Sequence, residues 1–87
     1  MLLSLMHEMK LINKIGERSK EIRKDLGLSQ MELAEIIDTK QAQISNFEAG
    51  LPGRISLESF LLMIEFYAQK NYNVYEIFNP DFEIKKR

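Results

Sequence analysis

Apolar side chains recur at intervals of three, four and seven residues along most of the chain, which is the spacing of one face of an α-helix. Ile15, Ile22 and Leu26 follow this spacing and precede Gly27, a residue type that commonly ends helices. The pattern therefore predicts a first helix that begins at about residue 15 and ends before Gly27.

A second helix is predicted directly after the first. Ser29 is followed three residues later by Glu32, which is the sequence of a capping box at a helix start. Leu33, Ala34 and Ile37 then supply the apolar face of this helix. The helix is expected to be short, because the apolar pattern breaks soon after Ile37.

The apolar pattern resumes in a third brief helix after Asp38-Thr39. Ile44 and Phe47 lie three residues apart, and Gly50 follows as a helix stop. The sequence predicts a helix over about residues 40–48. Two short helices joined by a tight turn therefore form the centre of the chain.

Two further helices are predicted after the turn at Leu51-Pro52-Gly53. Ser56 is a plausible N-cap for a fourth helix, whose expected buried stripe consists of Leu57, Phe60, Leu61, Ile64 and Ala68. Asn73 and Glu76 form a cap-and-acid pair for a short fifth helix with Val74, Ile77 and Phe78 on one face.

The ends of the chain are predicted to flank one domain. Residues 1–14 are amphipathic and are expected to form a helical extension, either as a separate helix or as part of the first. Residues 15–78 hold the predicted domain, and residues 79–87 are expected to form a flexible tail after Pro80.

Composition supports a folded binding domain and excludes several classes of active site. The 87 residues are 45% hydrophobic and 29% charged, with four Gly and two Pro, which excludes a disordered chain. With no Cys and one His, the sequence offers no disulfide, thiolate nucleophile or metal-binding cluster. We therefore expect a cytoplasmic protein with no membrane association, no metal, no cofactor and no catalytic residues.

Net charge alone does not indicate a partner, but the distribution of charge is uneven. Twelve Lys and Arg against thirteen Asp and Glu give a formal charge of −1. Residues 1–30 nevertheless carry six basic and four acidic side chains, so the first part of the chain is the electropositive part.

The two central helices carry a specific motif. The stretch Leu28-Ser29-Gln30-Met31-Glu32-Leu33-Ala34, followed by Gln41-Ala42-Gln43-Ile44-Ser45-Asn46-Phe47-Glu48-Ala49-Gly50, resembles the helix-turn-helix of phage repressor and Cro proteins, the XRE family. The similarity covers roughly residues 15–78. It implies an all-α fold, a compact five-helix bundle like that of lambda repressor, and sequence-specific binding of double-stranded DNA by a transcriptional regulator.

The third helix has a polar face suited to reading bases. At about 100° per residue, this face lies opposite Ile44 and Phe47. Amides pair with adenine in the major groove, and an alanine methyl group contacts thymine. The predicted base-reading residues are Gln41, Ala42, Ser45 and Asn46. The alternative interpretation is a polar face that is merely solvated.

A second set of polar residues is predicted to contact DNA phosphates. It consists of Gln30, Lys40, Gln43 and Arg54, supported by Lys10, Lys14, Lys20 and Lys24. Gln30 lies at the start of the second helix, and the resemblance implies that it also braces Gln41. The resemblance further implies a structural ion pair between Arg23 and Glu48.

Three features depart from the family pattern. Asp38 replaces the usual turn glycine, which Asp tolerates by local hydrogen bonding in left-handed geometry. Ser19 stands where the family has an aliphatic core residue. Met31 and Ile36 occupy positions that are commonly polar, so an exposed apolar patch is expected.

The leading hypothesis is a transcriptional regulator that binds DNA as a homodimer, because one small module contacts few base pairs. The apolar end at Val74–Phe78 or the N-terminal segment would supply the symmetric contact. The alternative is a protein-interaction or antitoxin-like module on the same fold, with a toxin as partner. An enzyme is the third and remote hypothesis.

Overall fold

A computed structural model describes residues 2–78, with side chains from residue 11 onward. The elements are α1 (Leu2–Asp25), α2 (Gln30–Ile36), α3 (Gln41–Ala49), α4 (Leu57–Gln69) and a 3-10 helix (Val74–Phe78). Residues 2–78 contain no extended strand, which confirms the all-α prediction. The fifth predicted helix is 3-10 rather than α-helical. The expected tail at residues 79–87 lies outside the described residues.

The N-terminal segment continues into the first predicted helix without a break. Helix α1 begins at Leu2 rather than near residue 15, and it ends at Asp25. At about 1.5 Å per residue, its 24 residues form a rod roughly 36 Å long. The amphipathic spacing of the first dozen residues therefore belongs to the same helix.

The predicted capping box at the start of α2 is present. The Ser29 hydroxyl accepts a hydrogen bond from the Glu32 backbone N–H at 3.0 Å, and the Ser29 N–H donates to Glu32 Oε1 at 2.9 Å. Asp38 has a φ of 52°, so it adopts the left-handed geometry expected of a turn residue that replaces glycine. Helix α3 begins three residues later.

The core lies between α1, α2, α3 and α4, and its buried face on α4 differs from the predicted stripe. Ser59, Met63 and Tyr67 are buried, whereas Leu57 and Leu61 are exposed. Phe60, Ile64 and Ala68 of the predicted stripe are half-buried and pack against this core. The prediction was therefore right for these three residues and wrong for Leu57 and Leu61. Helix α4 is apolar on most sides, so spacing alone does not select the buried face.

The 3-10 helix packs into the core of its own domain. Val74 and Ile77 are buried, and the buried guanidinium of Arg18 donates from Nη1 to the Ile77 carbonyl at 2.6 Å. Val74 and Ile77 are therefore unavailable for the contact with a second copy that was expected at the apolar end Val74–Phe78. Only Tyr75 and Phe78 of its apolar residues are exposed.

Ser19 is buried in the position where the family places an aliphatic residue. Its hydroxyl has no hydrogen-bond partner among the described residues, while its carbonyl accepts from the Tyr67 hydroxyl at 3.3 Å. Burial raises the pKa of Tyr67, and the nearby charge of Glu48 raises it further. Tyr67 thus bonds the main chain of residue 19, and the contact does not depend on the serine side chain.

Helix α1 crosses α3 at close range. A Cβ atom added to Gly16 would lie 2.2 Å from the Phe47 carbonyl oxygen and 3.3 Å from the Glu48 Cα. These are backbone atoms, which cannot rotate away as the end of a side chain can. Main-chain atoms of α1 and α3 therefore set the distance between the two helices.

Candidate nucleic-acid interface

Helix α3 presents the predicted polar face to solvent at its N-terminal half. Gln41 and Ala42 are exposed and Ser45 is half-buried, while Ile44 and Phe47 are buried in the core. The amide, the methyl group and the hydroxyl thus lie on the side of the helix that a DNA groove can approach.

Asn46 is turned toward the loop that follows α3. Its side-chain Nδ2 donates to the Gly53 carbonyl at 3.3 Å, and its backbone carbonyl accepts from the Leu51 N–H at 2.8 Å. Asn46 is half-buried. The structure therefore places this predicted base-reading residue where it ties α3 to the next loop.

Gln43 is engaged at the start of its own helix. Its Oε1 accepts from the Lys40 backbone N–H at 3.3 Å and from the Thr39 hydroxyl. This predicted phosphate-contacting side chain thus satisfies a free N–H group at the start of α3. The contribution of Thr39 was missed in the sequence, although a Thr immediately before a predicted helix is a recognised capping signal.

Arg23 and Glu48 form a bidentate ion pair between α1 and α3. Arg23 Nε donates to Glu48 Oε2 at 2.7 Å, and Arg23 Nη2 donates to Glu48 Oε1 at 3.0 Å. The two side chains are 8% and 3% exposed. The hydrogen bonding that Arg23 donates to Glu48 raises the pKa of Arg23 against the opposing effect of burial.

The remaining donor of Arg23 links this pair to the start of α2. Arg23 Nη1 donates to the Leu28 carbonyl at 2.7 Å, one residue before the N-cap Ser29. A single buried guanidinium therefore connects α1, the loop before α2 and the end of α3.

Glu48 also accepts a hydrogen bond from Gln30, and Gln30 in turn contacts Gln41. Gln30 Nε2 donates to Glu48 Oε1 at 3.0 Å, and Gln41 Nε2 donates to Gln30 Oε1 at 2.7 Å. We call Glu48, Gln30 and Gln41 the amide relay. The Gln30–Gln41 contact was predicted, but nothing in the residue spacing indicated the link to Glu48.

The predicted phosphate contacts differ in how they are placed. Lys40 is exposed at the start of α3, and Arg54 is exposed in the loop after it, where Nη1 donates to the Leu51 carbonyl at 3.4 Å. Both cations can therefore extend from the ends of the candidate recognition helix toward a phosphate backbone.

The basic residues of α1 fall on two sides of the helix. Lys20 and Lys24 are four residues apart and share a face. Lys14 is exposed but lies seven residues before Glu21, so an acidic residue occupies the same face. The side chain of Lys10 lies outside the described residues. Glu17 likewise lies seven residues before Lys24, so acidic residues accompany the described lysines on both sides of α1.

Apolar side chains are also exposed outside α3, in two regions. Met31 and Ile36 of α2 are 60% and 46% exposed, which confirms their expected exposure, but five residues apart they lie about 140° from each other around the helix and do not share a face. A second region, which we call the α4 face, includes Leu57, Leu61 and Phe78. A groove of about 290 Å³ opens beside it and is lined mainly by Ile12, Ile15, Phe47, Ile55 and Phe60.

Other kinds of site are not found in the described part of the chain. No group of three or more His, Cys, Asp or Glu side chains among those residues could hold a metal ion. None of the described helices combines the length and apolar character needed to cross a bilayer.

Two short helices that meet at a tight turn, with an exposed polar face on the second, define a helix-turn-helix domain. The Helix-turn-helix family model matches residues 20–69, which is more than half of the chain. The chain therefore belongs to the XRE family of helix-turn-helix domains, the Cro and repressor type, which is a family of DNA-binding domains. A search of curated proteins finds no significant match.

Proposed function

We propose that this protein is a transcriptional regulator that binds a specific DNA sequence by placing α3 in the major groove. The observation that carries the proposal is the exposed Gln41 amide, held by Gln30 at the start of the recognition helix. Gln41, Ala42 and Ser45 would read base edges, and Asn46 would hold the adjoining loop in place. The protein would act by binding alone, without a cofactor or a catalytic step.

Phosphate contacts would surround this polar face. Lys40 and Arg54 are exposed at its two ends, and Gln30 retains a second N–H on the amide nitrogen that bonds Glu48. Each cation that neutralises a phosphate releases a counterion, so affinity would fall as salt rises.

We further propose that the protein binds DNA as a homodimer. Exposed apolar residues support this, and the α4 face replaces the buried Val74 and Ile77 as the contact surface. A two-fold dimer would bind an inverted repeat with half-sites about 10 bp apart, one turn of the double helix.

The test is selection of bound sequences from a random DNA pool, followed by titration of the enriched sequence across a salt series. We expect an inverted-repeat motif and a steep salt dependence. Arg54→Ala should keep the motif and reduce the slope of log affinity against log salt by about one. A pool without an enriched motif would contradict the proposal.

A protein partner, such as a toxin bound by an antitoxin-like regulator, is the second candidate. The exposed Met31 and Ile36 favour it, since Ile36 borders a groove of about 250 Å³ that also includes Leu62 and Phe66. Binding to heparin or random DNA with little salt dependence, together with the absence of a motif, would favour this function.

A further inference from the structure

The amide relay connects a buried charge to the surface that would read DNA. Glu48 is 5% exposed, Gln30 is half-buried and Gln41 is exposed, so the three side chains lead from the interior to solvent. The two links are 3.0 and 2.7 Å long, within the range of good hydrogen bonds.

The chemistry of Glu48 fixes the direction of the first link. Both carboxylate oxygens accept hydrogen bonds from Arg23, and an ionised carboxylate has no proton to donate. Gln30 must therefore turn its NH₂ group toward Glu48. The opposite orientation would place the Gln30 carbonyl oxygen against a carboxylate oxygen, with two acceptors facing each other.

The direction of the first link then determines the second. With its nitrogen directed at Glu48, Gln30 presents its oxygen to Gln41, and an oxygen can only accept. Gln41 must turn its nitrogen toward Gln30. Its own oxygen and its second N–H remain for a ligand.

A glutamine without such a partner can exchange its amide oxygen and nitrogen by rotation. Adenine presents the N7 acceptor and the N6 donor side by side in the major groove, and a glutamine pairs with them through one N–H and one oxygen. The orientation of the amide therefore decides which of its two ends meets the donor of the base.

We propose that Glu48 is a positioning residue for base recognition, which fixes the orientation of the Gln41 amide through Gln30. The inference rests on the proposed function. Glu48 does not contact DNA in this arrangement, and its effect reaches the base only through the amide relay. The same carboxylate thus contributes to folding by pairing with Arg23 and to sequence preference by orienting Gln41.

Two substitutions break the relay in different ways. Glu48→Gln replaces the obligatory acceptor with an amide that can present either end to Gln30, but it also leaves Arg23 without its charged partner. Gln30→Met keeps the ion pair and removes both relay bonds. Ile77→Val, in the buried 3-10 helix, is a control that lowers stability without touching the relay.

The first measurement is the sequence preference of each variant in a random DNA pool, below its unfolding temperature. The position read by Gln41 is identified with Gln41→Ala. We expect both relay variants to reduce the preference for the favoured base at that position by roughly tenfold, with other positions unchanged. In the Gln41→Ala background, the relay variants should cause no further change there, and Ile77→Val should keep the parent profile.

The second measurement is the NMR signals of the glutamine side-chain amides in the free protein. We expect ordered Gln30 and Gln41 amide groups in the parent and in Ile77→Val, and an averaged Gln41 amide group in the two relay variants. Parent-like order of the Gln41 amide in Gln30→Met would overturn the proposal.

The two measurements distinguish a failure of the amide relay from a failure of the proposed function. A parent protein that enriches a motif, while folded Glu48→Gln and Gln30→Met keep its full preference at the Gln41 position, would overturn the relay and leave the proposed function standing. A parent that enriches no motif would overturn the proposed function, and with it any role of Glu48 in recognition.

Discussion

The polar face of α3 and the apolar α4 face are both exposed, but they are organised differently. Gln41 is hydrogen-bonded to Gln30, and Gln30 is hydrogen-bonded to the buried carboxylate of Glu48. The Gln41 side chain is therefore already ordered in the free protein. Leu57 and Leu61 are 73% and 56% exposed, and their aliphatic side chains cannot hydrogen-bond to the interior. Side chains that are already ordered lose less entropy on binding, which favours the polar face as the more selective surface.

The largest expected effect comes from breaking the support beneath the polar face. Arg23→Ala and Glu48→Ala should each lower the free energy of unfolding by about 3 to 5 kcal/mol, because each leaves a buried charge without its partner. The double variant should lose less than the sum of the two. Denaturant melts of the three variants measure this.

Exposed charged residues on α1 and α2 serve as controls. Lys24→Ala and Glu35→Ala should change the free energy of unfolding by no more than about 0.5 kcal/mol. Losses from Arg23→Ala and Glu48→Ala that are small and add together would show that the two charges do not meet in solution.

A substitution in α1 can disturb the position of α3. Gly16→Ala should lower the free energy of unfolding by about 3 kcal/mol, because the new Cβ atom would overlap the Phe47 carbonyl oxygen. Gly27→Ala is the matched control, since no atom lies within 4 Å of its added Cβ and only its φ of 75° opposes the change. That strain costs about 1 to 2 kcal/mol. Equal losses in thermal melts would contradict the close crossing.

Under the proposed function, Gln41 on the polar face would select bases and Arg54 in the following loop would contact the phosphate backbone. Gln41→Ala should weaken binding of the selected DNA by about 1 to 3 kcal/mol and relax the preference at one base position. Arg54→Ala should weaken all DNA sequences about equally. Both side chains are exposed, so thermal stability should change little. Titrations of matched and mismatched DNA distinguish the two variants.

The α4 face is tested by removing one exposed side chain. Leu61→Ser should weaken self-association by roughly tenfold and leave the fold of the monomer intact, because Leu61 is already largely in water. Met31→Ser removes a side chain of similar exposure from α2 and should leave self-association unchanged. Sedimentation of the free proteins and of their DNA complexes measures this. A parent that stays monomeric on DNA would rule out the dimer.

The smallest effect is the pH dependence of the α2 capping box. The backbone N–H and the hydroxyl of Ser29 lower the pKa of Glu32 below its ordinary value of 4.5. A carboxyl with a lowered folded pKa stabilises the fold above its unfolded pKa, and this contribution is lost as pH falls through the folded value. Glu32→Gln should therefore be less stable than the parent at pH 7, with the difference disappearing below pH 4.5. Melts of the parent and of Glu32→Gln across pH measure this.

The sequence predicted the structure correctly where a local motif of a few residues specifies one backbone geometry. Ser29 and Glu32 form the predicted cap, and Asp38 adopts the predicted turn geometry. The contact of Gln30 with Gln41 and that of Arg23 with Glu48 came from family resemblance, because their partners lie 11 and 25 residues apart along the chain. Spacing along one helix predicts contacts only between residues three or four positions apart.

The sequence was misleading where several arrangements satisfy the same pattern. Helix α4 is apolar on most sides, so Leu57 and Leu61 fit a stripe as well as Met63 and Tyr67 do. Val74 and Ile77 could cover a partner or their own core, and the contact of Arg18 with the Ile77 carbonyl shows that they cover the core. Deciding such cases requires the positions of the neighbouring helices.

The close crossing at Gly16 also bears on engineering. The recognition helix is positioned by main-chain atoms of α1 and α3, and these stay the same when surface side chains are exchanged. Libraries at positions 42 and 45 would therefore sample new base contacts on a scaffold whose geometry is fixed elsewhere. Position 16 should stay constant in any such library, because every larger residue would push against the carbonyl of Phe47. The domain is in this sense a starting point for DNA-binding modules with altered target sequences.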